Sequence, residues 1–329
     1  PPPTATKRSS PPPTTSTPPA PPPTRRTLLT GWFSFLHGEV TAGDMLAAEA
    51  VQSALHGAGI AYDTAWSPVF RPDALHLDDA DPAAFTDVVF ACGPVHSWPT
   101  PDGGPSPLLA LHDRFAGCRR VAVGVSVPDP DDPAVTRFDE VLARDLAGRR
   151  TGEQDLSLRA PAPGDVPLVG VVLTGGQHEY GARRRHEEVT ERLTDWLRTV
   201  DAARVPLDTR LDSRDWRLPA TPDQLHAVLA RLDVVVTTRL HGMVLALRAG
   251  TPALAVDPVE GGAKVSAQAA ALGWPAVLRC EQAGKRELDR LFAWCLSPQG
   301  RAQTGPHTLP PDEDGLLGGL LRWLARSDG

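Results

Sequence analysis

Residues 232–264 read LDVVVTTRLHGMVLALRAGTPALAVDPVEGGAK, and their pattern decides the fold. Val234–Val236 is a short β-branched apolar run, the signature of a buried parallel strand. Thr237, Thr238, Arg239, Leu240 and His241 follow at its carboxyl end. From His241 to Ala249 the spacing turns helical, with Val244, Leu245 and Leu247 as apolar positions and Gly250 as the stop. Thr251–Val256 predicts a second strand, and Asp257–Gly262 a loop before another helix. In open α/β sheets ligands sit at the carboxyl ends of strands. An arginine, a histidine and a Gly-Gly-x-Lys loop converge on that edge, which makes it the first place to look for a site.

The rest of the chain repeats this alternation. Residues 1–27 are proline, threonine and serine with a few basic residues, too poor in apolar surface to offset the entropy of ordering. They predict a disordered tail with polyproline character, on which a PxxP-type partner is conceivable. Residues 28–162 form a first domain: a strand from Leu28, a helix opened by Thr41-Ala42-Gly43-Asp44, strands at 60–66, 87–91 and 120–127, and helices at 108–116 and 134–147. Asp44 lies in the first turn of its helix, where capping the positive helix end competes with a substrate role. Pro161-Ala162-Pro163-Gly164-Asp165 is the clearest breaker and the predicted linker.

Residues 163–300 restart with a strand at 166–173 and a polar loop, Thr174–Gly181, that carries Gln177, Glu179 and Tyr180. A helix follows at 183–199, bearing Arg183, Arg184 and Arg185. Next come a strand at 204–207, a helix at 222–231 with Thr221 as N-cap and Pro222 at its first position, the opening unit, and a helix at 281–296. Residues 298–312 read as a polar loop and 315–326 as a final helix. The pattern predicts two doubly wound Rossmann-like domains facing a cleft.

The totals exclude some classes. With 329 residues, 41% of them hydrophobic, the chain can bury one large core or two ordinary ones. A net charge of −7 offers no basic face for nucleic acid. No apolar run reaches the roughly 18 residues that a membrane helix needs. Cys92, Cys118, Cys280 and Cys295 have no Cys-x-x-Cys spacing and read as buried thiols in a reducing compartment. With no charged-then-apolar leader, a cytoplasmic enzyme is expected. The histidines have no ligand spacing, so no metal is expected. Without Gly-x-Gly-x-x-Gly or a Walker-type loop, dinucleotide and ATP readings are weak.

Thr238-Arg239-Leu240-His241-Gly242, Ala249-Gly250-Thr251-Pro252 and Gly262-Ala263-Lys264 together resemble the polysaccharide pyruvyl transferase family. The resemblance implies a two-domain GT-B-like fold. It also implies transfer of a pyruvyl group from phosphoenolpyruvate to sugar hydroxyls, usually as a ketal, with no further cofactor. Carried over by position, Arg239, Leu240 and His241 would contact the donor, with His241 catalytic. The family tends to open its first helix with Asn-x-Gly-Asp; here Gly43 and Asp44 match while Thr41 replaces the asparagine. Arg144-Asp145 resembles an Arg-Asp pair near the end of the family's first domain.

The chemistry suits the residues. Phosphoenolpyruvate carries a carboxylate and a phosphate, and the planar fork of an arginine matches both. Arg239 is the first choice, with Lys264 behind Gly261-Gly262 adding a point charge and loop amides an anion nest. His241 is the expected general acid or base, paired with a carboxylate among Asp44, Glu179 and Glu260. On the acceptor side, His37, Glu39, Gly43, Gln177, Glu179 and Tyr180 are expected to meet a carbohydrate or polyol. Two readings compete: a GT-B glycosyltransferase with a nucleotide-sugar donor, and a non-catalytic member of the family.

Overall fold

The computed structural model describes residues 25–36, 40–175, 178–304 and 315–326. The proline-rich segment to residue 24, and His37, Glu39 and Gln177 among the expected acceptor residues, lie outside the described residues. The chain divides into two compact units, Pro1–Pro163 and Gly164–Gly329.

Unit 1 runs β1 (Arg26–Thr30), α1 (Ala42–Gly57), β2 (Ala61–Thr64), β3 (Asp87–Ala91), α2 (Pro107–Arg114), β4 (Arg119–Val127), α3 (Pro133–Thr136), β5 (Glu140–Leu146) and β6 (Arg149–Arg150). Its sheet has the order β2-β1-β3-β4-β5-β6, parallel except for the last pair. Side chains alternate across a strand, so neighbours in sequence serve opposite faces. Leu28, Val88, Phe90 and Ala122 accordingly enter one apolar cluster, while Leu29, Val89 and Ala91 enter another. Each fully buried Leu or Phe contributes roughly 1.5–3 kcal/mol relative to exposure.

Unit 2 runs β7 (Leu168–Val172), α4 (His186–Arg198), β8 (Ala203–Pro206), α5 (Pro222–Leu229), β9 (Val234–Thr237), α6 (Leu240–Arg248), β10 (Ala253–Asp257), α7 (Lys264–Ala271), β11 (Val277–Arg279), α8 (Lys285–Leu296), α9 (Pro298–Ala302) and α10 (Leu316–Leu324). Its sheet is fully parallel, in the order β11-β10-β9-β7-β8. Every residue of β9 and β10 is buried, as strands covered by helices on both faces require. The amphipathic α4 buries Val189, Leu193, Trp196 and Leu197, and α8 buries Leu288, Leu291, Phe292 and Cys295, each set at helical spacing.

Counted within its own unit, each sheet has the parallel order second-first-third-fourth-fifth. The two α/β halves expected from the alternation are therefore present, and they repeat one topology that their sequences do not reveal. In this order the crevice for a ligand opens between the first and third strands, where the connections diverge. In unit 1 that point lies beyond β1 and β3; in unit 2 it lies beyond β7 and β9.

Four expectations need correction. Residues 134–147 are not one helix: α3 ends at Thr136, and β5 pairs in parallel with β4 from Val121↔Glu140 to Val127↔Leu146. Ala147 and Gly148 then turn it into β6. The helix expected from 183 starts at His186, because Arg184 bridges to Val259 and the Arg185 amide donates to the Pro258 carbonyl at 2.9 Å. The loop expected at 298–312 opens with α9, where Ser297 caps the Gly300 amide and Pro298 takes the first position. β11, absent from the sequence reading, adds an edge strand beside β10. No described helix is long and apolar enough to cross a membrane. All four cysteines are free and buried.

Candidate functional site

At the unit 2 switch point, threonines set the geometry. The Thr237 hydroxyl donates to the Val172 carbonyl at 2.8 Å, and the Thr174 amide donates to the Thr238 hydroxyl at 2.9 Å. These bonds fasten the ends of β7 and β9 together just where the two connections part. The Arg239 amide donates to the Thr237 hydroxyl at 2.9 Å, which turns the chain into α6 with Arg239 as the N-cap. No side-chain cap closes the first turn, so the α6 amides face outward at a positive helix end. Gly242 lets helix and strand meet, since a Cβ there would collide with Thr237 Oγ1. His241, between them, is exposed.

Arg239 is held rather than loose. Its Nη1 donates to Asp208 Oδ1 at 2.6 Å, which leaves Nη2 and Nε as the remaining donors of the fork. Asp208 stands two residues beyond β8 and also accepts from the Arg210 amide and side chain. Burial raises its pKa, but the Arg210 hydrogen bonds and the Arg210 and Arg239 charges outweigh that and hold it below the usual carboxylate range. The sequence reading passed over Asp208. Its signal was present, though: Asp208-x-Arg210, Asp212-x-Arg214 and Asp215-x-Arg217 repeat one spacing, and each aspartate receives both the amide and the guanidinium two residues on.

Beyond β10 the Gly-Gly-x-Lys loop is organised by its own carboxylates. Asp257, fully buried, accepts from the amides of Val259 (3.2 Å), Ala263 (2.7 Å) and Ser266 (2.9 Å). Glu281 accepts from the Gly261 amide at 2.8 Å, and the Gly262 amide donates to the Val259 carbonyl. The expected anion nest is thus already filled from within the protein. Lys264 instead lies 3.7 Å from Glu179 and 5.7 Å from the centroid of the Tyr180 ring. This brings together a residue assigned to the donor and two assigned to the acceptor.

The loop leaving β7 crosses to the loop leaving β10. The Glu260 amide donates to the Arg183 carbonyl at 2.8 Å, the Arg185 guanidinium pairs with Glu260, and Arg184 bridges to Val259. Since β9 lies between β7 and β10, a connection across two strand spacings, roughly 10 Å, spans the exit of β9. Arg184 itself pairs with Glu187, so this arginine trio staples the loop.

Unit 1 carries a cavity of about 470 Å³ at its own switch point, lined among others by Trp32, Asp44, Cys92, His96, Trp98 and Arg144. Thr41 caps α1 through the Asp44 amide, and Asp44 returns the bond to the Thr41 amide at 3.0 Å, so the capping role of Asp44 is realised. Asp44 also lines the cavity. Gly43 lies in the same turn. Cys92 and Gly93 both take left-handed backbone at the end of β3, and a Cβ on Gly93 would collide with the Trp32 indole. Burial pushes the Cys92 thiol up to about 11, with Asp44 adding to the effect, so the sulfur stays protonated at neutral pH. Arg144 pairs with Asp155 and, at 3.2 Å, with Asp145. Of this lining, sequence reading had singled out Thr41, Asp44 and Arg144; the aromatic wall escaped it because its rings come from two separate loops.

With this geometry in view, a family model described as Polysaccharide pyruvyl transferase matches residues 185–258. The match runs from the end of the spanning loop through β10 and includes Arg239, Leu240 and His241. The resemblance read from Thr238–Gly242 and Ala249–Pro252 is therefore borne out, while Gly262–Lys264 lie past the matched residues.

Among solved structures, spinosyn forosaminyltransferase SpnP is 15% identical over 92% of this chain and 100% of its own, with a TM-score of 0.30. The glycotransferase of kitacinnamycin is 15% identical over 86% and 94%, with a TM-score of 0.28. UDP-GlcNAc 2-epimerase of Methanocaldococcus jannaschii is 11% identical over 91% and 99%, with a TM-score of 0.29. No curated protein matches the chain.

Proposed function

We propose that this chain transfers a pyruvyl group from phosphoenolpyruvate to a carbohydrate, forming a ketal and releasing phosphate. The observation that carries the reading is the Arg239-Leu240-His241 segment at the unit 2 switch point, inside the residues matched by the pyruvyl transferase model. In this reading the free edge of the Arg239 fork and the uncapped first turn of α6 receive the donor's carboxylate and phosphate. Lys264, on the same sheet edge, adds positive charge.

The reaction then needs three events. A sugar hydroxyl adds to C2 of the enol ester and gives up its proton, while a proton goes to C3, which becomes a methyl group. The C2–O bond breaks and phosphate leaves with the bridging oxygen and the electron pair, taking up the other proton, its charge met by the guanidinium. A second hydroxyl of the same sugar closes the ketal on C2 and gives up its proton. His241 is the general acid or base that moves these protons, a role worth on the order of 10²–10⁴-fold. Asp44, one of the three carboxylates weighed as its partner, is kept as the candidate carboxylate on the acceptor side.

The test is incubation with phosphoenolpyruvate and a panel of methyl glycosides, following phosphate release and the new methyl signal of the ketal by NMR. Turnover in the wild type, with His241→Ala slower by about 10²–10⁴-fold and still folded, is the expected result. Glycosyl transfer from UDP- or GDP-linked sugars, with phosphoenolpyruvate inert, would replace this reading with the glycosyltransferase one.

A further inference from the structure

The unit 1 cavity has a wall that the proposed chemistry does not use. Trp32, His96 and Trp98 form a continuous column of rings, with centroids 4.9 Å and 4.5 Å apart and planes within 26° and 25° of parallel. All three line the cavity. The inner end is rigid: Trp32 Nε1 donates to the Pro94 carbonyl at 2.9 Å, and the indole packs edge-on against Phe35 and Phe90. The outer end is open, with Trp98 66% exposed. A large aromatic left exposed at a concave site, on a base that cannot move, is preorganised for a flat apolar surface.

The polar side of the cavity narrows the ligand class. Asp44 offers carboxylate acceptors, Thr41 a hydroxyl and Arg144 guanidinium donors. Arg144 is already neutralised by Asp145 and Asp155. Behind His96, the Ser97 amide and hydroxyl both bind Asp132. Burial lowers the pKa of His96 and leaves its ring uncharged at neutral pH, although Asp132 pulls the other way. The lining thus offers a carboxylate, Asp44, and a guanidinium, Arg144, whose charge Asp145 and Asp155 already meet. No unpaired cation among the described lining is left to hold a phosphate or carboxylate. The pair suits a neutral polyol, whose hydroxyls can both donate to Asp44 and accept from Arg144.

We propose that this cavity binds a neutral pyranose, its apolar C–H face stacked on the exposed end of the Trp32–His96–Trp98 column and its hydroxyls paired with Asp44 and Arg144. The site would supply the acceptor in the transfer reaction; only the word acceptor rests on that reading, since the binding needs neither the donor nor turnover. It also names the acceptor class as a neutral sugar ring, not a sugar phosphate, a uronate or a nucleotide.

Saturation-transfer NMR and calorimetric titration with neutral methyl pyranosides, in the absence of phosphoenolpyruvate, test this directly. The expected result is saturation transfer from aromatic protons to one face of the ring, with millimolar affinity. Trp98→Ala should weaken binding at least tenfold at an unchanged melting temperature, since the side chain is mostly in solvent, and Trp98→Phe should recover part of it. Three results would overturn the proposal: no transfer to any neutral pyranoside, equal binding by Trp98→Ala, or tighter Trp98-dependent binding of UDP than of the sugars. Trp98-dependent sugar binding without pyruvyl transfer would uphold this site and remove the transfer reading alone.

Discussion

Asp208 fixes Arg239 in place, and in the proposed reaction single substitutions at that pair should tell most. Ordering a long side chain on binding costs about 0.5–1.5 kcal/mol, and Asp208 removes most of that cost beforehand. Asp208→Ala should therefore weaken phosphoenolpyruvate binding roughly two- to tenfold in a titration. Tighter binding in this variant would mean that Asp208 competes with the donor. Gly242 is the second pressure point. Gly242→Ala drives a methyl into Thr237 Oγ1, and overpacking of this kind costs about 1–3 kcal/mol. The variant should melt several degrees lower and lose donor binding, because the same threonine orients the Arg239 amide. Unchanged melting would show that α6 sits farther from β9 than described.

Elements differ in how much of them could be read in advance, and the difference follows from where their stabilising contacts come from. β9 and β10 were legible because strands buried on both faces are apolar throughout, whatever they pair with. α5 was legible because Thr221 and Pro222 mark its start locally. β5 was misread because Val135, Phe138, Val141, Leu142 and Leu146 fall at near-helical spacing, while what makes 140–146 a strand is its register against β4. The arginines at 183–185 were drawn into α4 for the same reason: the contacts that keep them out lie about 75 residues away, at Pro258–Glu260. The Thr238–Gly242 segment could be read, being one continuous stretch; the pairing of Asp208 with Arg239 and the ring column could not, since each joins residues from separate loops. Within α4, Leu193 is wholly buried and anchors the helix to the unit 2 sheet. Leu193→Ala should cost about 2–5 kcal/mol by denaturant unfolding, and a cost below 1 kcal/mol would contradict that packing.

At the scale of the whole molecule, acid should act in two stages. Burial lowers the pKa of His112, with the Arg120 and Arg137 charges also acting against protonation, and burial followed by the Arg184 charge lowers that of His186. A group depressed in the folded state stabilises above its unfolded value, so these two begin to lose their contribution below the ordinary histidine value of 6.5. Asp208 and Asp132 are also held low: burial raises each, but hydrogen bonds from Arg210, and from Ala134 and Ser97, outweigh it. Their contribution is complete above 3.8 and disappears as pH falls through their lower folded values. Melting temperature should thus decline gently from about pH 6.5 and steeply below about pH 4; a flat profile between pH 7 and 5 would contradict the buried neutral histidines. A more direct test bears on the proposal that the unit 2 switch point holds phosphoenolpyruvate through Arg239. Calorimetric titration of phosphoenolpyruvate into the wild type and Arg239→Ala, at fixed salt, is the measurement that tests it. Saturable one-site binding is expected in the wild type and its loss in the variant, with the fold intact by circular dichroism. Equal binding in both proteins, or saturable binding of UDP- or GDP-linked sugars where phosphoenolpyruvate gives none, would contradict it.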